Sequence, residues 1–321
     1  MEMWNNFIYS ANIVFPMFVM VVLGYLFKRN HFLDESFFSQ SERFVFRVAL
    51  PSMVFLEVAN AGSAETLNWR LVGFCCLGIT VNCVVLSLIV PRIVRENAKR
   101  GAIIQGIFRS NFAVMGVPLA TSMFGNAGGA AIAIVLPFVV VLFNVYSVII
   151  LSSFAPREAK VPIKEIFLRT VKSVITNPHI IAVILALPFL LLGWKMPTVV
   201  QKSTTYLSNT TFALSLLSLG STMTLNAVQG KLKYSLSAAL TKLILIPAVM
   251  ITIGYFCGFR GPEMGIVLIL FGTPSAVSSY IMAKNMKSDH ELAGQILLLT
   301  TLLCLFTLFG GIFVLKTIGL I

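Results

Sequence analysis

Charge is what this sequence has least of. Only 11% of its residues are Asp, Glu, Lys or Arg, against the ~25% typical of soluble proteins. Acid is scarcest: 12 Asp and Glu stand against 24 Lys and Arg, and Asp34 and Asp289 are the only aspartates. Hydrophobic residues make up 57% of the 321-residue chain, and the mean hydropathy is +0.91. Too little polar surface remains to cover a water-soluble body of 35.2 kDa. A soluble enzyme, a secreted disulfide scaffold and a disordered chain are therefore excluded. Histidines and cysteines are also few. Cys75, Cys76, Cys83, Cys257 and Cys304 lie in apolar runs without metal-ligand spacing and read as small buried hydrophobes. His31, His179 and His290 sit in loops or at the edges of runs and form no triad with a serine or an acid. No Gly-x-x-x-x-Gly-Lys-Ser/Thr loop is present, so direct ATP hydrolysis is not expected and no cofactor is implied.

What the chain has instead is long apolar runs. A bilayer core of ~30 Å takes about 20 apolar residues per helix. Ten such runs stand at roughly 7–27, 39–59, 70–92, 102–124, 129–153, 178–194, 204–227, 234–257, 263–286 and 291–315. The first lacks a basic leader and runs directly into Lys28-Arg29, so it reads as a span rather than a cleaved signal. Fifteen of the 24 basic residues fall on the connections after runs 1, 3, 5, 7 and 9, five on the opposite side and four, Arg43, Arg47, Arg109 and Lys242, within runs. This bias places both termini outside a cell membrane. It also explains the +12 net charge without a nucleic-acid partner.

The longest connection, 154–177, is basic and divides the runs five and five, into a first repeat at 1–153 and a second at 178–321. An odd number of spans per half forces the halves into opposite orientations, the inverted-repeat plan of many secondary transporters. The fourth run of each half carries Gly, Pro and small polar residues near its middle. Run 4 has Arg109-Ser110-Asn111 followed by Gly116 and Pro118; run 9 has Gly272-Thr273-Pro274-Ser275 followed by Ser278. Either interruption alone reads as a proline kink. Matched interruptions in corresponding spans point to a midplane binding site, and half-helix N-termini suit an anion.

Within the runs, Arg47, Arg109 and Lys242 lie about 10–12 Å in from the cytoplasmic end at ~1.5 Å per residue. They either snorkel to the interface or line an inward vestibule that draws in anions. Arg109 is the strongest of the three candidates because it sits two residues before Asn111. Asn82 and Asn144 are neutral and midplane, fit for interhelical hydrogen bonding or a site. Tyr146 and Tyr280 either flank a site or pack. No aspartate occupies a run, which weighs against a cation/proton antiporter of the same repeat plan. An intramembrane enzyme or a non-transporting receptor lacks its clustered catalytic groups or its soluble output domain.

The stretch Asn111-x-x-x-Met115-Gly116-x-Pro118-Leu119 resembles the fourth span of the auxin efflux carrier family, which includes plant auxin carriers and bacterial malonate- and malate-type permeases. Ala49-Leu50-Pro51-Ser52-Met53-Val54-Phe55, Leu216-Leu217-Ser218-Leu219-Gly220 and Pro274-Ser275-Ala276-Val277-Ser278-Ser279-Tyr280 are similar too. The resemblance implies an all-α membrane protein of ten helices in two inverted five-helix repeats, with spans 4 and 9 broken and crossing. It implies a scaffold of spans 1, 2, 6 and 7 and a transport domain of spans 3–5 and 8–10. It further implies a homodimer carrying a small carboxylate by an elevator-type step, with Asn111 in the place of a substrate-contacting asparagine. Substrate-binding candidates are Arg109, Asn111, Gly116, Pro118, Asn144, Tyr146, Pro274, Ser275, Ser278 and Tyr280. Direction of transport and coupling to protons or sodium are not legible.

Overall fold

The computed structural model describes residues 2–60, 68–154, 176, 178–221 and 232–321. Most of the basic central connection and the end of run 7 lie outside the described residues. Among the described residues thirteen α-helices follow one another: α1 (Glu2–Arg29), α2 (Glu35–Phe44), α3 (Leu50–Ala59), α4 (Trp69–Ile93), α5 (Asn97–Phe108), α6 (Val117–Ser153), α7 (Pro178–Leu192), α8 (Thr198–Ser221), α9 (Leu232–Leu240), α10 (Ile246–Phe256), α11 (Pro262–Gly272), α12 (Val277–Asn285) and α13 (His290–Thr317). Among the described residues the only β pairing is a single antiparallel bridge between Ser110 and Ser275. Among the described residues five stretches are long and apolar enough to cross a membrane: Met3–Arg29, Trp69–Ile93, Phe112–Ser153, Leu232–Phe256 and His290–Thr317. Ile180–Leu192 and Pro262–Gly272 are shorter apolar helices. The outer face of α4 exposes Leu77, Val81, Val84, Val85 and Leu88, the pattern of a helix whose solvent on that side is lipid.

The few polar side chains at helix ends act locally. Both aspartates are N-caps: Asp34 accepts from the Phe37 N–H at 2.7 Å and Asp289 from the Leu292 N–H at 3.0 Å. Asn68 caps α4 through the Leu71 N–H and also donates to Glu263 at the start of α11.

Prolines shape the interior. Three π-helical turns, Val45–Ala49, Phe112–Gly116 and Thr241–Leu245, each end two residues before a proline, namely Pro51, Pro118 and Pro247. A proline gives no N–H and its ring crowds the carbonyl four residues back, at Arg47, Val114 and Leu243 here, so the turn before it widens. Runs 2 and 8 therefore stay helical through these turns rather than ending. Run 4 is interrupted outright at residues 109–111, and run 9 at residues 273–276. The chain between runs 4 and 5 turns at Gly125, whose φ of 59° and ψ of −142° suit only glycine.

Helix contacts fall mainly around two groups, which meet along α1 and α13 and along α3 and α6. In the first, α8 packs along α1, α2 and α3, and α7 along α3. The α1–α8 approach is backbone on backbone: a Cβ on Gly24 would lie 2.0 Å from the Leu217 carbonyl oxygen, and one on Gly220 only 1.9 Å from that of Val21. Small residues allow such contact where lipid gives no hydrophobic drive to helix pairing. In the second, α6 packs on α4, α5 and α11, while α13 packs on α5, α9, α11 and α12.

Candidate functional site

The site is built where two helices stop. Helix α5 ends at Phe108 and α11 at Gly272, and the chain continues extended: Arg109 (φ −87°, ψ 108°), Thr273 (φ −71°, ψ 155°) and Ala276 (φ −75°, ψ 140°). These two extended pieces pair with each other. The Asn111 N–H donates to the Pro274 carbonyl at 2.8 Å, and the Ala276 N–H to the Arg109 carbonyl at 3.3 Å, on either side of the Ser110–Ser275 bridge. The Ser275 N–H donates to Thr300 Oγ1 on α13 at 3.1 Å. Irregular backbone at this depth must satisfy its polar groups within the protein, and here each break serves the other. Beyond the crossing, helix resumes at Phe112 and at Val277. Two helix N-termini, with N–H groups that lack intrahelical acceptors, therefore start at one point.

A cavity of about 440 Å³ opens beside this point, within the ~300–1,000 Å³ usual for small-molecule sites. One wall is Arg109, Ser110 and Asn111 from the first break, Ala276 from the second, Ser278 at the start of α12, and Phe143 and Asn144 on α6. The facing wall comes from Ser39, Glu42, Arg43 and Phe46 around α2 and from Ser215 and Ser218 on α8. Ser39, Arg43 and Phe46 are exposed, so the cavity opens on the α2 side.

Arg109 dominates the wall. It is 7% exposed, and its guanidinium is held by neutral groups: Ser147 Oγ at 2.9 Å and the Phe143 carbonyl at 3.2 Å through Nη1, Asn144 Oδ1 at 2.8 Å and Ser278 Oγ at 2.9 Å through Nη2. The ion pairs among the described residues are Lys28–Glu35 and Lys99–Glu96, and neither involves Arg109. A buried guanidinium oriented by neutral oxygens keeps its charge available to a ligand. Beside it, the Asn111 side-chain NH₂ is buried without an acceptor among the described residues, as are the hydroxyls of Ser215 and Ser218. Buried polar groups are normally satisfied, so these three stand out in the packing around the cavity.

Of the residues singled out from sequence, Arg109, Asn111, Asn144 and Ser278 share the cavity. Gly116, Pro118, Pro274 and Ser275 shape the crossing instead. A Cβ at Gly116 would lie 3.0 Å from Ile132 Cδ1, Pro118 sets the π-helical turn, Pro274 gives its carbonyl to Asn111, and Ser275 forms the bridge. Tyr146 bonds Thr80 at 2.9 Å, and Tyr280 packs by His290 with ring centroids 6.1 Å apart; neither lines the cavity. Asn82 donates to its own helix at Gly78, and Arg47 is exposed. Lys242 does not snorkel: it is 1% exposed and donates to Ser110 from behind the crossing. Sequence reasoning missed Glu42, Ser39 and Ser215. Arg43 was visible only as a charge within a run, and Ser218 only as part of a motif.

Long apolar helices around a paired break, with an open, largely apolar cavity that carries Arg109 and Asn111 in its wall, describe a multi-pass membrane protein. The family model described as "Membrane transport protein" matches residues 9–311. The chain belongs to this family, that of the auxin efflux carriers. It is 25% identical over 299 residues to an uncharacterized transporter of Methanocaldococcus jannaschii, covering 90% of this chain and 94% of the relative. It is 23% identical to an uncharacterized transporter of Methanothermobacter thermautotrophicus, covering 94% and 97%. It is 21% identical to a protein of Rhizobium meliloti named "Putative malonate transporter", covering 96% of each.

Proposed function

We propose that this protein is a secondary carrier of a small organic anion, a mono- or dicarboxylate of malonate, malate or auxin type. The observation that carries this reading is the buried Arg109, without a carboxylate partner among the described residues, beside the unpartnered amide of Asn111 in one cavity. In the bound state a substrate carboxylate accepts from Asn111 Nδ2, from Ser278 Oγ and from the first N–H groups of the two resumed helices, with Arg109 supplying the charge. The relative named for malonate supports the substrate class.

Ten spans in two inverted repeats place the two breaks at equivalent depth. The packing of α1, α2, α3, α7 and α8 with one another supports a scaffold, and that of α4–α6 with α9–α13 supports a transport domain. The cavity lies between them, so a slide of one group against the other carries the site across in an elevator-type step, within a homodimer. With both termini outside, the cavity faces the cytoplasm. Outward movement of an anion is favoured by an inside-negative potential, by ~2.3 kcal/mol per charge per 100 mV.

The test is uptake and counterflow of labelled malonate, malate, lactate and indole-acetate in proteoliposomes, with and without proton or sodium gradients. Saturable transport of at least one is expected. No transport of any carboxylate by demonstrably folded protein refutes the assignment.

A further inference from the structure

Arg109 and Asn111 suit the cavity to an anion, yet an acid lines it too. Glu42 and Arg43, in the last turn of α2, stand on the facing wall. With Arg109 they are the charged side chains of the cavity lining among the described residues. Glu42 is half-buried, and Arg43 is exposed at the opening. Neither side chain makes a hydrogen bond or an ion pair with another described residue, and the two do not bridge to each other. Lys28, at the end of α1 and outside the lining, acts on Glu42 through space, but its ammonium lies 3.9 Å from Glu35. Glu42 caps no helix, since Asp34 caps α2. The local structure therefore gives this carboxylate no task.

A carboxylate on the wall of an anion site repels every plain carboxylate that enters, and such juxtapositions are a means of rejecting wrong partners. Partial charges at the crossing do not change this. The C-termini of α5 and α11 and the N-termini of the helices resuming at Phe112 and Val277 all meet there, so their dipoles offset one another. The full charges set the pattern that a ligand must answer: positive at Arg109 on one wall, negative at Glu42 and positive at Arg43 on the other. The rest of the lining includes Val114, Val140, Leu219 and Ile281, which suit methylene groups.

Resting on the carrier reading above, we propose that the substrate is an acidic α-amino acid, a dicarboxylate bearing an ammonium beside one of its carboxylates. Its side-chain carboxylate is held by Arg109 and Asn111. Its α-ammonium donates to Glu42, and its α-carboxylate accepts from Arg43. Neighbouring charges of opposite sign on one helical turn thus match neighbouring groups of opposite sign on one carbon atom. Both carboxyl groups and the amine are ionised near neutral pH, so the substrate remains a net anion. Glu42 then selects for the amine and against dicarboxylates that lack it.

Calorimetric titration of purified wild type at neutral pH tests this with three matched pairs: aspartate and succinate, glutamate and glutarate, 2-aminoadipate and adipate. In at least one pair the amino acid should bind about tenfold tighter or more, and N-acetylation should remove the advantage. Glu42→Gln should reverse the preference in that pair, weakening the amino acid about tenfold and strengthening its plain partner severalfold. Damage to the fold weakens both and cannot produce such a crossing. Arg43→Gln should weaken both members, since each carries a second carboxylate. An advantage below tenfold in all three pairs overturns the proposal, as does an advantage that survives N-acetylation or Glu42→Gln. If that variant does not fold, the wild-type pairs and the N-acetylated ligand decide. Proteoliposome uptake separates the two readings. Carriage of plain dicarboxylates without any of the amino acids leaves the carrier reading standing and sinks this one. Carriage of no carboxylate, amino or plain, sinks both.

Discussion

Replacing Asn111 with alanine separates a binding role from a structural one, because the two roles predict opposite changes in the substrate-free protein. Its Nδ2 is buried and has no acceptor among the described residues, and no side-chain capping bond is made at the start of the following helical turn. A buried polar group without a partner costs ~1–3 kcal/mol. Truncation removes that cost, and the backbone pairing of Asn111 with Pro274 stays. The substrate-free variant should therefore melt at or slightly above the wild-type temperature. Binding should behave in the opposite way. A hydrogen bond to a charged acceptor contributes ~1.5–3 kcal/mol, which at 1.4 kcal/mol per decade is roughly 10- to 150-fold in affinity. Isothermal titration of detergent-purified protein with malonate measures the second quantity, and a melting scan with and without malonate measures both together. A lowered melting temperature with unchanged affinity would make Asn111 a structural residue and refute the reasoning. Asn111→Asp sharpens the contrast, since a carboxylate there repels the ligand and should abolish measurable binding.

Four further outcomes follow from the same geometry. Arg109→Gln should weaken carboxylate binding at least about a hundredfold, and Arg109→Lys should recover only part, because an ammonium cannot reproduce the fork to Asn144, Ser147 and Ser278; saturation uptake kinetics decide. Glu42→Gln removes the one described acid lining the cavity and should raise anion affinity severalfold, read as a lower KM at low ionic strength. Gly24→Leu sets a side chain against the Leu217 backbone and should cost roughly 3 kcal/mol or more, seen as loss of monodisperse protein, whereas Gly310→Ala meets nothing within 4 Å and should be neutral. Tyr146→Phe should lose about 1 kcal/mol of stability with its bond to Thr80, and should leave substrate affinity unchanged; a shift in affinity would bring that ring into the site.

The interruptions of runs 4 and 9 were legible because glycine and proline stand out in apolar sequence. Their meaning was only half legible. Pro118 and Gly116 drew notice as binding candidates, but they work by bending and fitting the helix that bears Arg109 and Asn111. That distinction depends on which side of a turn faces a void, and spacing alone does not carry it. The facing wall was harder still. Glu42 and Arg43 come from α2, which enters run 2 as an ordinary amphipathic turn, and Ser215 from α8 looks like any small residue in a packed helix. These become site residues only through contact between segments about 65 to 175 positions apart. The π-helical turns had a signal that went unread: a proline two residues beyond each of them. Lys242 shows the limit most clearly, since depth in a run told nothing of whether its side chain turned to the interface or inward.

The two breaks are joined to each other by main chain. Asn111 N–H to Pro274 carbonyl, Ala276 N–H to Arg109 carbonyl and the Ser110–Ser275 pairing all involve atoms that every residue except proline provides. The architecture of the site is thus insulated from the identity of the side chains that decorate it. Ser278, Asn144, Ser215 and Ser218 can be exchanged without dissolving the junction that positions them. Such a scaffold lets selectivity drift by single substitutions while the moving parts stay intact, a form of evolvability written into the peptide backbone rather than into any one residue.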